Sequence, residues 1–458
     1  MIKRKIDRYL NDVFLKDKKA LLVTGARQTG KTFSIRQFGE SNFANFIEIN
    51  FAENPLAKRV FEGGGGCDDI LLRLSALVNV PLIKGETLIF LDEVQECPEA
   101  VTAIKFMVEE GSYRYMLSGS LLGVELKDLR SEPVGYMDVV ELFPLDFEEF
   151  VMAIGLSAAV MDSIRDSWNK REPVDDMVHE RMLRLFRLYL VVGGMPAVVQ
   201  RYLDTNNLQD VIREQQAIIN LYKRDIAKYD PANKLYIQEI FNLIPPELNA
   251  KNKRFILKNL NENLKFSRYE NSFLWLRDAG VAIPVYNVEE PTVPLLLSRS
   301  RNLFKLFQND VGLLSCQYSE GIQLELIDGK PGINYGAVYE NAVAQELHAH
   351  GYSPYYFNSK RQGELDFVIE RAGRVIPIEV KSGKDYHTHK ALNNVIGCEN
   401  YNISDAYVFS NNNLSVNGGI VYAPIYMLMF VQKEEIPSIV YHVDLSDINP
   451  VLSWEDSH

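Results

Sequence analysis

The sequence predicts an α/β protein with a parallel sheet first, a helical middle next and an α+β part at the end. Three observations lead to this prediction. Short apolar runs alternate with longer mixed segments up to about residue 150. From Phe147 onward, apolar residues recur every three or four positions, which is the helical period. Near residue 363 apolar and polar residues begin to alternate strictly, which is the period of half-buried strands.

Length and composition fit a globular chain of several domains. The 458 residues are 47% hydrophobic and 11% aromatic, enough to bury more than one core. We divide them into residues 1–150, 151–310, 311–430 and a C-terminal extension, 431–458. The net charge of −12 argues against a surface that coats nucleic acid everywhere, although it allows a local basic patch. Four well-separated cysteines, no apolar run of transmembrane length and no secretory signal lead us to expect a cytoplasmic protein that does not bind membranes.

The first predicted strand, Ala20–Thr24, leads into a complete phosphate-binding loop. Residues 25–32 read Gly-Ala-Arg-Gln-Thr-Gly-Lys-Thr and match G-x-x-x-x-G-K-[ST], a pattern whose glycines let backbone N–H groups close around a polyphosphate. Lys31 would reach the β- and γ-phosphates, and the Thr32 hydroxyl would bind Mg²⁺. The predicted nucleotide-binding residues are therefore Gly25, Ala26, Arg27, Gln28, Thr29, Gly30, Lys31 and Thr32.

The second motif is an apolar strand that ends in two adjacent acids, Asp92 and Glu93. Because it follows a phosphate-binding loop, we expect Asp92 to hold Mg²⁺ through water. Glu93 would polarise the water that attacks the γ-phosphate. A third strand within residues 113–120 ends in Ser118 and Ser120, each of which either senses the γ-phosphate or belongs to an ordinary turn.

Two further apolar runs, residues 45–50 and 136–142, complete a predicted five-stranded parallel sheet with helices between its strands. In such sheets ligands bind at the carboxyl ends of the strands. All three motifs place their polar groups at those ends. We therefore predict one catalytic site in which Lys31, Glu93 and Ser118 act on the nucleotide.

Residues 1 to about 430 resemble a large prokaryotic family of AAA-type ATPases, in which an ATPase module precedes a C-terminal half of unassigned function. The motifs that carry the resemblance are residues 25–32, Leu91-Asp-Glu-Val-Gln95, Leu117-Ser-Gly-Ser120, residues 142–150, Val192-Gly-Gly-Met-Pro196 and residues 309–314. The resemblance implies that the nucleotide is ATP, bound with Mg²⁺. It also leaves open assembly into a homo-oligomer.

One departure from this family concerns a trans-acting arginine. Many relatives carry a Gly-Arg pair where this chain has Gly135-Tyr136. Arg114 and Arg130 are the alternative candidates for that role, and each could instead be a surface charge.

The middle of the chain is predicted to be helical, with helices over residues 147–154 and 176–192 and a turn before Pro196. A predicted hairpin pairs residues 282–288 with 294–297, and helices followed by such a wing suggest a winged-helix module. Within it, one stretch holds seven basic residues against two acidic ones. The basic residues are Lys251, Lys253, Arg254, Lys258, Lys265, Arg268 and Arg277, and Ser267, Tyr269 and Asn271 would supply hydrogen bonds to DNA. The alternative is an ordinary solvated helix face.

The C-terminal part carries a second group of chemical residues on a predicted hairpin. If Ala372-Gly373 forms a two-residue turn, paired positions sum to 745, so Asp366 lies opposite Glu379 and Glu364 opposite Lys381. All four side chains would share one face of the sheet, where a divalent metal would relieve the repulsion of the facing acids and Lys381 would orient or deprotonate a water. The alternative is a surface hairpin decorated with salt bridges.

This arrangement resembles the PD-(D/E)XK nuclease core, an α+β fold. The resemblance implies that an acid from the preceding helix joins Asp366 and Glu379 as a metal ligand, and Glu340 stands at the matching place. The sequence thus predicts an ATPase coupled to DNA binding or to metal-dependent DNA cleavage. The competing hypothesis is a nucleotide-dependent switch or scaffold that acts on a protein partner and cuts no nucleic acid.

Overall fold

The fold is described from a computed structural model of the chain. The structure describes residues 2–63, 66–119, 135–229, 234–250, 253–256, 260, 269–318, 321–329, 336–383 and 385–433. Several predicted features fall outside these ranges, namely Ser120, Arg130, most of the basic stretch and nearly all of the extension at 431–458.

The N-terminal sheet is parallel, and its five strands follow the order β2-β3-β4-β1-β5. The strands are β1 Ala20–Thr24, β2 Asn45–Asn50, β3 Thr87–Asp92, β4 Arg114–Ser118 and β5 Met137–Glu141. The predicted parallel sheet is therefore confirmed. The interior strand β3 is buried along its whole length, because helices cover both faces of the sheet.

The elements that cover this sheet are short helices. They are α1 Lys5–Tyr9, continued by a π-helical turn Leu10–Phe14, and α2 Lys31–Asn42, α3 Cys67–Leu77 and α4 Pro98–Glu110. The first element buries Ile6, Leu10 and Phe14 against the sheet. Alternate residues of β1 point to opposite layers, with Leu21 in one apolar cluster and Leu22 in the other.

The middle of the chain is helical, as predicted. Its helices are α5 Phe147–Ala153, α6 Ala158–Lys170, α7 Asp176–Val192, α8 Pro196–Thr205, α9 Leu208–Tyr229, α10 Lys234–Asn249 and α11 Glu270–Asp278. Helix α7 begins after its N-cap Asp175 and ends before Gly193. Among the described residues no single helix is both long and apolar enough to cross a membrane; α7 and α8 meet that length and composition only when taken together across a 117° bend.

The C-terminal half contains an eight-stranded mixed sheet in the order β12-β13-β11-β10-β9-β8-β6-β7. Its strands are β6 Ala282–Val288, β7 Arg299–Gln308, β8 Tyr355–Ser359, β9 Gly363–Arg371, β10 Arg374–Val380, β11 Ala406–Ser410, β12 Ser415–Asn417 and β13 Ile420–Pro424. The helices of this half are α12 Val311–Gln317, α13 Ile322–Asp328, α14 Gly336–Ala349 and α15 Lys390–Ile396.

The predicted wing hairpin was wrong in its second strand. Residues Leu295–Ser298 form a 3₁₀ turn, and β6 pairs instead with the longer strand β7. Strand β6 also pairs with β8, so the hairpin belongs to the large sheet and is not a separate wing. The predicted domain boundary at residue 310 therefore separates β6 and β7 from the other strands of the sheet to which they belong. The pattern misled us because the first half of β7 is polar and mostly exposed, and only its second half is buried.

The predicted register of the C-terminal hairpin is confirmed. Strands β9 and β10 are antiparallel, and Phe367 pairs with Ile378 as the sum of 745 requires. Ala372 and Gly373 form the turn with φ of 48° and 71°, the left-handed conformation of a two-residue hairpin. Continuing this register places Asp366 opposite Glu379.

Two backbone segments cross at very short range where the middle helices meet the C-terminal half. A Cβ atom on Gly194 would lie 2.0 Å from the Leu145 oxygen, and one on Gly312 would lie 2.5 Å from the Val192 oxygen. Asp310 joins the two segments, because its carboxylate accepts hydrogen bonds from Leu313 N at 2.9 Å and Gly194 N at 2.6 Å. We call this crossing the glycine junction.

We expect Asp310→Ala to lower the unfolding midpoint in chemical denaturation strongly, by the equivalent of about 3 kcal/mol, because it removes a helix cap and strands a buried N–H group. Asp175→Ala removes an exposed cap of the same type from α7 and should cost about 1 kcal/mol. Asp310→Asn keeps an acceptor oxygen, so its loss of unfolding free energy should lie between the losses of the two alanine variants. Equal losses for both alanine variants would contradict a special role for the junction.

Candidate functional site

The phosphate-binding loop has the backbone that its sequence predicts, with one addition. Gly25 and Gly30 have φ of 126° and 94°, and Gln28 also has a positive φ, 68°. A Cβ on Gly25 would lie 2.3 Å from the Leu142 oxygen, so only glycine fits there. Helix α2 begins directly after Gly30, which aims its first N–H groups at the space enclosed by the loop.

Lys31 lies inside this loop. Its Nζ donates to the Gly25 oxygen at 2.9 Å and to the Ala26 oxygen at 2.7 Å. Burial lowers the pKa of Lys31 to about 8, although the nearby acids Glu93 and Asp92 oppose that shift. An ammonium held by carbonyl oxygens in this way can exchange them for the oxygens of a phosphate.

Asp92 is the centre of the polar groups at the end of β3. It accepts hydrogen bonds from Thr32 Oγ1 at 3.2 Å, from Asn50 Nδ2 at 3.1 Å and from the Ser118 hydroxyl. Burial raises the pKa of Asp92, and the bond from Ser118 works against that rise. The Thr32 hydroxyl and the Asp92 carboxylate are adjacent oxygen ligands, which fits Mg²⁺. Sequence reasoning missed Asn50, whose side chain had no motif to mark it.

Glu93 follows Asp92 in a left-handed conformation, with φ of 54°. Its carboxylate accepts a hydrogen bond from the Gln95 side chain. Its role with water stays a prediction, as does that of Ser118, which here bonds Asp92. Arg114 is not available as a trans-acting arginine, because its guanidinium lies 4.3 Å from the centre of the Phe14 ring and donates to the Phe14 oxygen.

A parallel sheet, a phosphate-binding loop before a helix, and an acid with a hydroxyl partner at the neighbouring strand ends define a P-loop nucleotide-binding domain of the ATPase class. Comparison with known families agrees, since residues 17–151 match the family described as "AAA domain". The chain therefore carries an AAA-type P-loop ATPase domain at its N-terminal end.

The other comparisons say less. Residues 183–323 and 335–428 match two families described as "Domain of unknown function", DUF8612 and DUF4143. No curated protein matches the chain.

Solved structures include distant matches. The Walker-type ATPase PABY2304 of Pyrococcus abyssi is 13% identical with a TM-score of 0.43, covering 69% of this chain and 96% of that one. ORC1 of Aeropyrum pernix in complex with DNA is 14% identical with a TM-score of 0.26, covering 72% and 91%. The RuvB Holliday junction branch migration motor of Thermotoga maritima is 15% identical with a TM-score of 0.30, covering 64% and 91%. Scores this low carry no argument about function.

The phosphate-binding loop also touches the middle helices, a contact that sequence reasoning missed. Arg27 forms an ion pair with Asp225 of α9 at 2.8 Å. The Tyr222 hydroxyl donates to the Arg27 oxygen at 3.2 Å and accepts from Asn309 Nδ2 at 3.3 Å. Gly280 approaches closely as well, because a Cβ there would lie 3.1 Å from Ala26 N.

The C-terminal acids that the sequence singled out do lie together. Glu340 of α14 and Glu379 of β10 are buried, Asp366 of β9 is half-buried, and Asp366 accepts a hydrogen bond from Val380 N at 2.9 Å. Lys381 Nζ lies 3.0 Å from Glu379. Asp366, Glu379 and Lys381 line a cleft of about 350 Å³ together with Lys253 and Glu364. We call the four acids Glu340, Glu364, Asp366 and Glu379 the carboxylate cluster.

Two lysines that sequence reasoning did not assign to this site neutralise the cluster. Lys305 of β7 is fully buried, and its Nζ lies 3.0 Å from Glu364 and 3.6 Å from Glu340. Lys253 forms an ion pair with Glu340. Neither contact was visible in the sequence, because both lysines are far from the acids along the chain.

The charges of these groups depend on one another. Burial would raise the pKa of Asp366, yet the ammonium groups of Lys305 and Lys253 hold that pKa below its usual range. Burial and then the charge of Asp366 raise the pKa of Glu379. In the part of the chain that the structure describes, no three acidic, histidine or cysteine side chains are arranged to hold a metal ion. The cluster offers carboxylate oxygens, but cationic side chains already compensate their charge, so the predicted metal does not fit this arrangement.

The described part of the basic stretch contacts acids of the chain itself. Lys253 pairs with Glu340, Arg254 Nη2 lies 3.4 Å from Glu364, and Arg277 pairs with Asp278. Lys251, Lys258, Lys265, Arg268 and Ser267 lie outside the described residues. Tyr269 is buried and cannot reach DNA, which corrects that prediction, whereas Asn271 is exposed.

The lowered pKa of Lys31 predicts a pH-dependent affinity for ATP. The charged form binds phosphate, and with a pKa of about 8 that form is lost as the pH rises through 8. We expect the affinity to fall about tenfold from pH 7 to pH 9. At pH 9 binding should take up about one proton, which calorimetry in buffers of different ionisation heat would detect. Lys31→Arg, which stays charged, should show a flat profile, and a flat profile in the wild type would contradict the shift.

Proposed function

We propose that the chain hydrolyses ATP at its N-terminal site and couples the bound nucleotide to DNA handling by its C-terminal half. One observation carries the coupling: hydrogen bonds, connected through adjacent residues of the chain, join the phosphate-binding loop to the carboxylate cluster. The N-terminal half of the proposal follows from the AAA-type domain.

At the ATPase site each residue has a separate task. Lys31, already poised among loop carbonyl oxygens, would bind the β- and γ-phosphates. Thr32 and Asp92 would hold Mg²⁺, which when bound neutralises phosphate charge. Glu93 would orient the attacking water, and Ser118, through its bond to Asp92, would fix the carboxylate that faces the metal.

The hydrogen-bond series runs from the loop into the large sheet. Tyr222 bonds both the Arg27 oxygen and Asn309, as described above. The preceding residue of the chain, Gln308, forms two backbone hydrogen bonds with the side chain of Asn341, its N donating at 2.8 Å and its oxygen accepting at 3.1 Å. Asn341 follows Glu340 on α14. A change in the loop on nucleotide binding therefore has a contiguous route to the cluster.

The order of elements supports the nuclease-like interpretation of the C-terminal half. Helix α14 precedes the antiparallel strands β8, β9 and β10, and α15 then leads to β11, which runs parallel to β10. This order is typical of the PD-(D/E)XK core suggested by the sequence. Such a fold also serves as a binding platform. Because lysines neutralise the acids, we propose DNA binding as its activity in the conformation described here.

The first test compares the wild type with Lys31→Ala. We expect ATP turnover to fall to background with an unchanged unfolding midpoint, since the variant removes only the phosphate-binding charge. Binding of labelled duplex DNA, followed by fluorescence anisotropy, should change by about fivefold or more when ATP is added to the wild type, and not at all in the variant. Undiminished turnover in the variant would contradict the ATPase assignment. DNA affinity that ignores ATP in the wild type would contradict the coupling.

The second test concerns the route itself. Tyr222→Phe removes the hydroxyl that joins Arg27 to Asn309, so we expect the effect of ATP on DNA binding to shrink by about 1 kcal/mol of coupling free energy. Tyr115→Phe is the matched control, because the Tyr115 hydroxyl is buried with no hydrogen-bond partner among the described residues. A full ATP effect in Tyr222→Phe would rule out this route.

The same neutralised cluster favours a second candidate, a nucleotide-dependent switch that acts on a protein partner. In that case ATP turnover depends on Lys31 as above, while DNA binds in neither nucleotide state. The anisotropy experiment separates the two functions.

A further inference from the structure

The carboxylate cluster is surrounded by as many cationic groups as it has acids. The acids are Glu340, Glu364, Asp366 and Glu379, and the cations in contact with them are Lys253, Arg254, Lys305 and Lys381. A divalent cation added to this balanced set would bring two extra positive charges into a largely buried space, which is unfavourable unless a cation leaves. The disagreement with the predicted metal site therefore has an electrostatic cause.

The cations differ in how easily they could leave. Lys305 is fully buried on β7, with its Nζ 5.1 Å from the centre of the Tyr356 ring, and cannot withdraw without opening the sheet. Lys381 lies directly after the β10 strand that carries Glu379. Lys253 and Arg254 both come from a segment outside the sheet, and of these two Lys253 is the one that pairs with the buried Glu340.

The backbone that carries Lys253 is also unusual. Its φ is 48°, a left-handed conformation that costs a side-chain-bearing residue free energy. Nearby, Phe255 N donates to the Phe304 oxygen at 3.0 Å and its ring packs on Phe273, so the segment is anchored just beyond the lysine. Lys253 is thus held in a strained position by the anchored Phe255 and by its ion pair with Glu340.

We propose that Lys253 acts as a gate: its ammonium closes the carboxylate cluster to divalent cations, and the cluster binds such a cation only when Lys253 withdraws from Glu340. This inference rests on the proposed function of the C-terminal half and adds its regulation. Glu340 is the contact point: its Oε1 pairs with Lys253, and its Oε2 is buried 3.6 Å from Lys305 without a hydrogen-bond partner among the described residues.

The test measures Mn²⁺ binding to the full-length, chelator-treated, nucleotide-free protein by electron paramagnetic resonance of free Mn²⁺. Lys253→Met removes the gate charge and should raise the affinity at least about tenfold over the wild type. Lys253→Arg keeps the charge, so its affinity for Mn²⁺ should stay as weak as that of the wild type. Lys390→Met removes an exposed charge that lines the same cleft and should behave as the wild type.

A double variant locates the gained site. Asp366→Asn in the Lys253→Met background should abolish the gain, which excludes Asp92 as its source, and circular dichroism with an unfolding midpoint verifies that each variant folds. Wild-type affinity equal to that of Lys253→Met would overturn the gate while leaving a metal site in place. Absence of Mn²⁺ binding in every variant would overturn the gate and the metal site together. ATP turnover in the wild type and in Lys31→Ala decides the ATPase proposal independently of all these outcomes.

Discussion

The structure depends on the close crossing of backbones at the glycine junction. At Gly194 and Gly312 there is no room for a side chain, so the end of α7, the segment at Leu145 and the start of α12 can meet only at these glycines. Asp310 then satisfies a backbone N–H group from each side of the crossing. The two family motifs in this region are therefore explained by packing. They fix how the ATPase domain and the large sheet meet, and the position of Asn309 beside Tyr222 follows from that.

Both polar sites of the chain contain buried lysines, and the charges of these lysines are compensated in different ways. At the N-terminal site Lys31 is bound by neutral carbonyl oxygens, which leaves its charge available for an anionic ligand. At the C-terminal site the lysines are bound by carboxylates, so charge is already compensated within the protein. The first arrangement is typical of a site that awaits its ligand. The second is typical of a site where a cationic ligand must displace the protein's own lysines from the carboxylates.

The sequence predicted the elements that depend on nearby apolar residues. It did not predict the ion pairs between charged residues that lie far apart in the chain. Helix α7 was predicted at its true bounds, because its apolar face stops at Gly193. Strand β3, which is buried throughout, was predicted to end at the acid pair and ends at Asp92, the first acid of that pair. The β9–β10 register followed from one turn, since a two-residue loop leaves no freedom. Strand β7 was misjudged because its exposed first half is polar. The ion pairs of Lys253 and Lys305 could not be predicted, because no spacing rule links a residue to a partner on a different element.

Helix α14 shows how such a chain can respond as a whole. Along one helix, Glu340 faces the cluster, Asn341 and Gln345 bond the backbone at Gln308 and Val311, and Glu346 accepts from Phe147 N at 2.7 Å. The backbone partners at Gln308, Val311 and Phe147 are all buried. A sliding movement of the helix by even part of a turn would break all of them at once, so intermediate positions are costly. The helix is thus held in the position seen here, and any displacement would move Glu340, Asn341, Gln345 and Glu346 together.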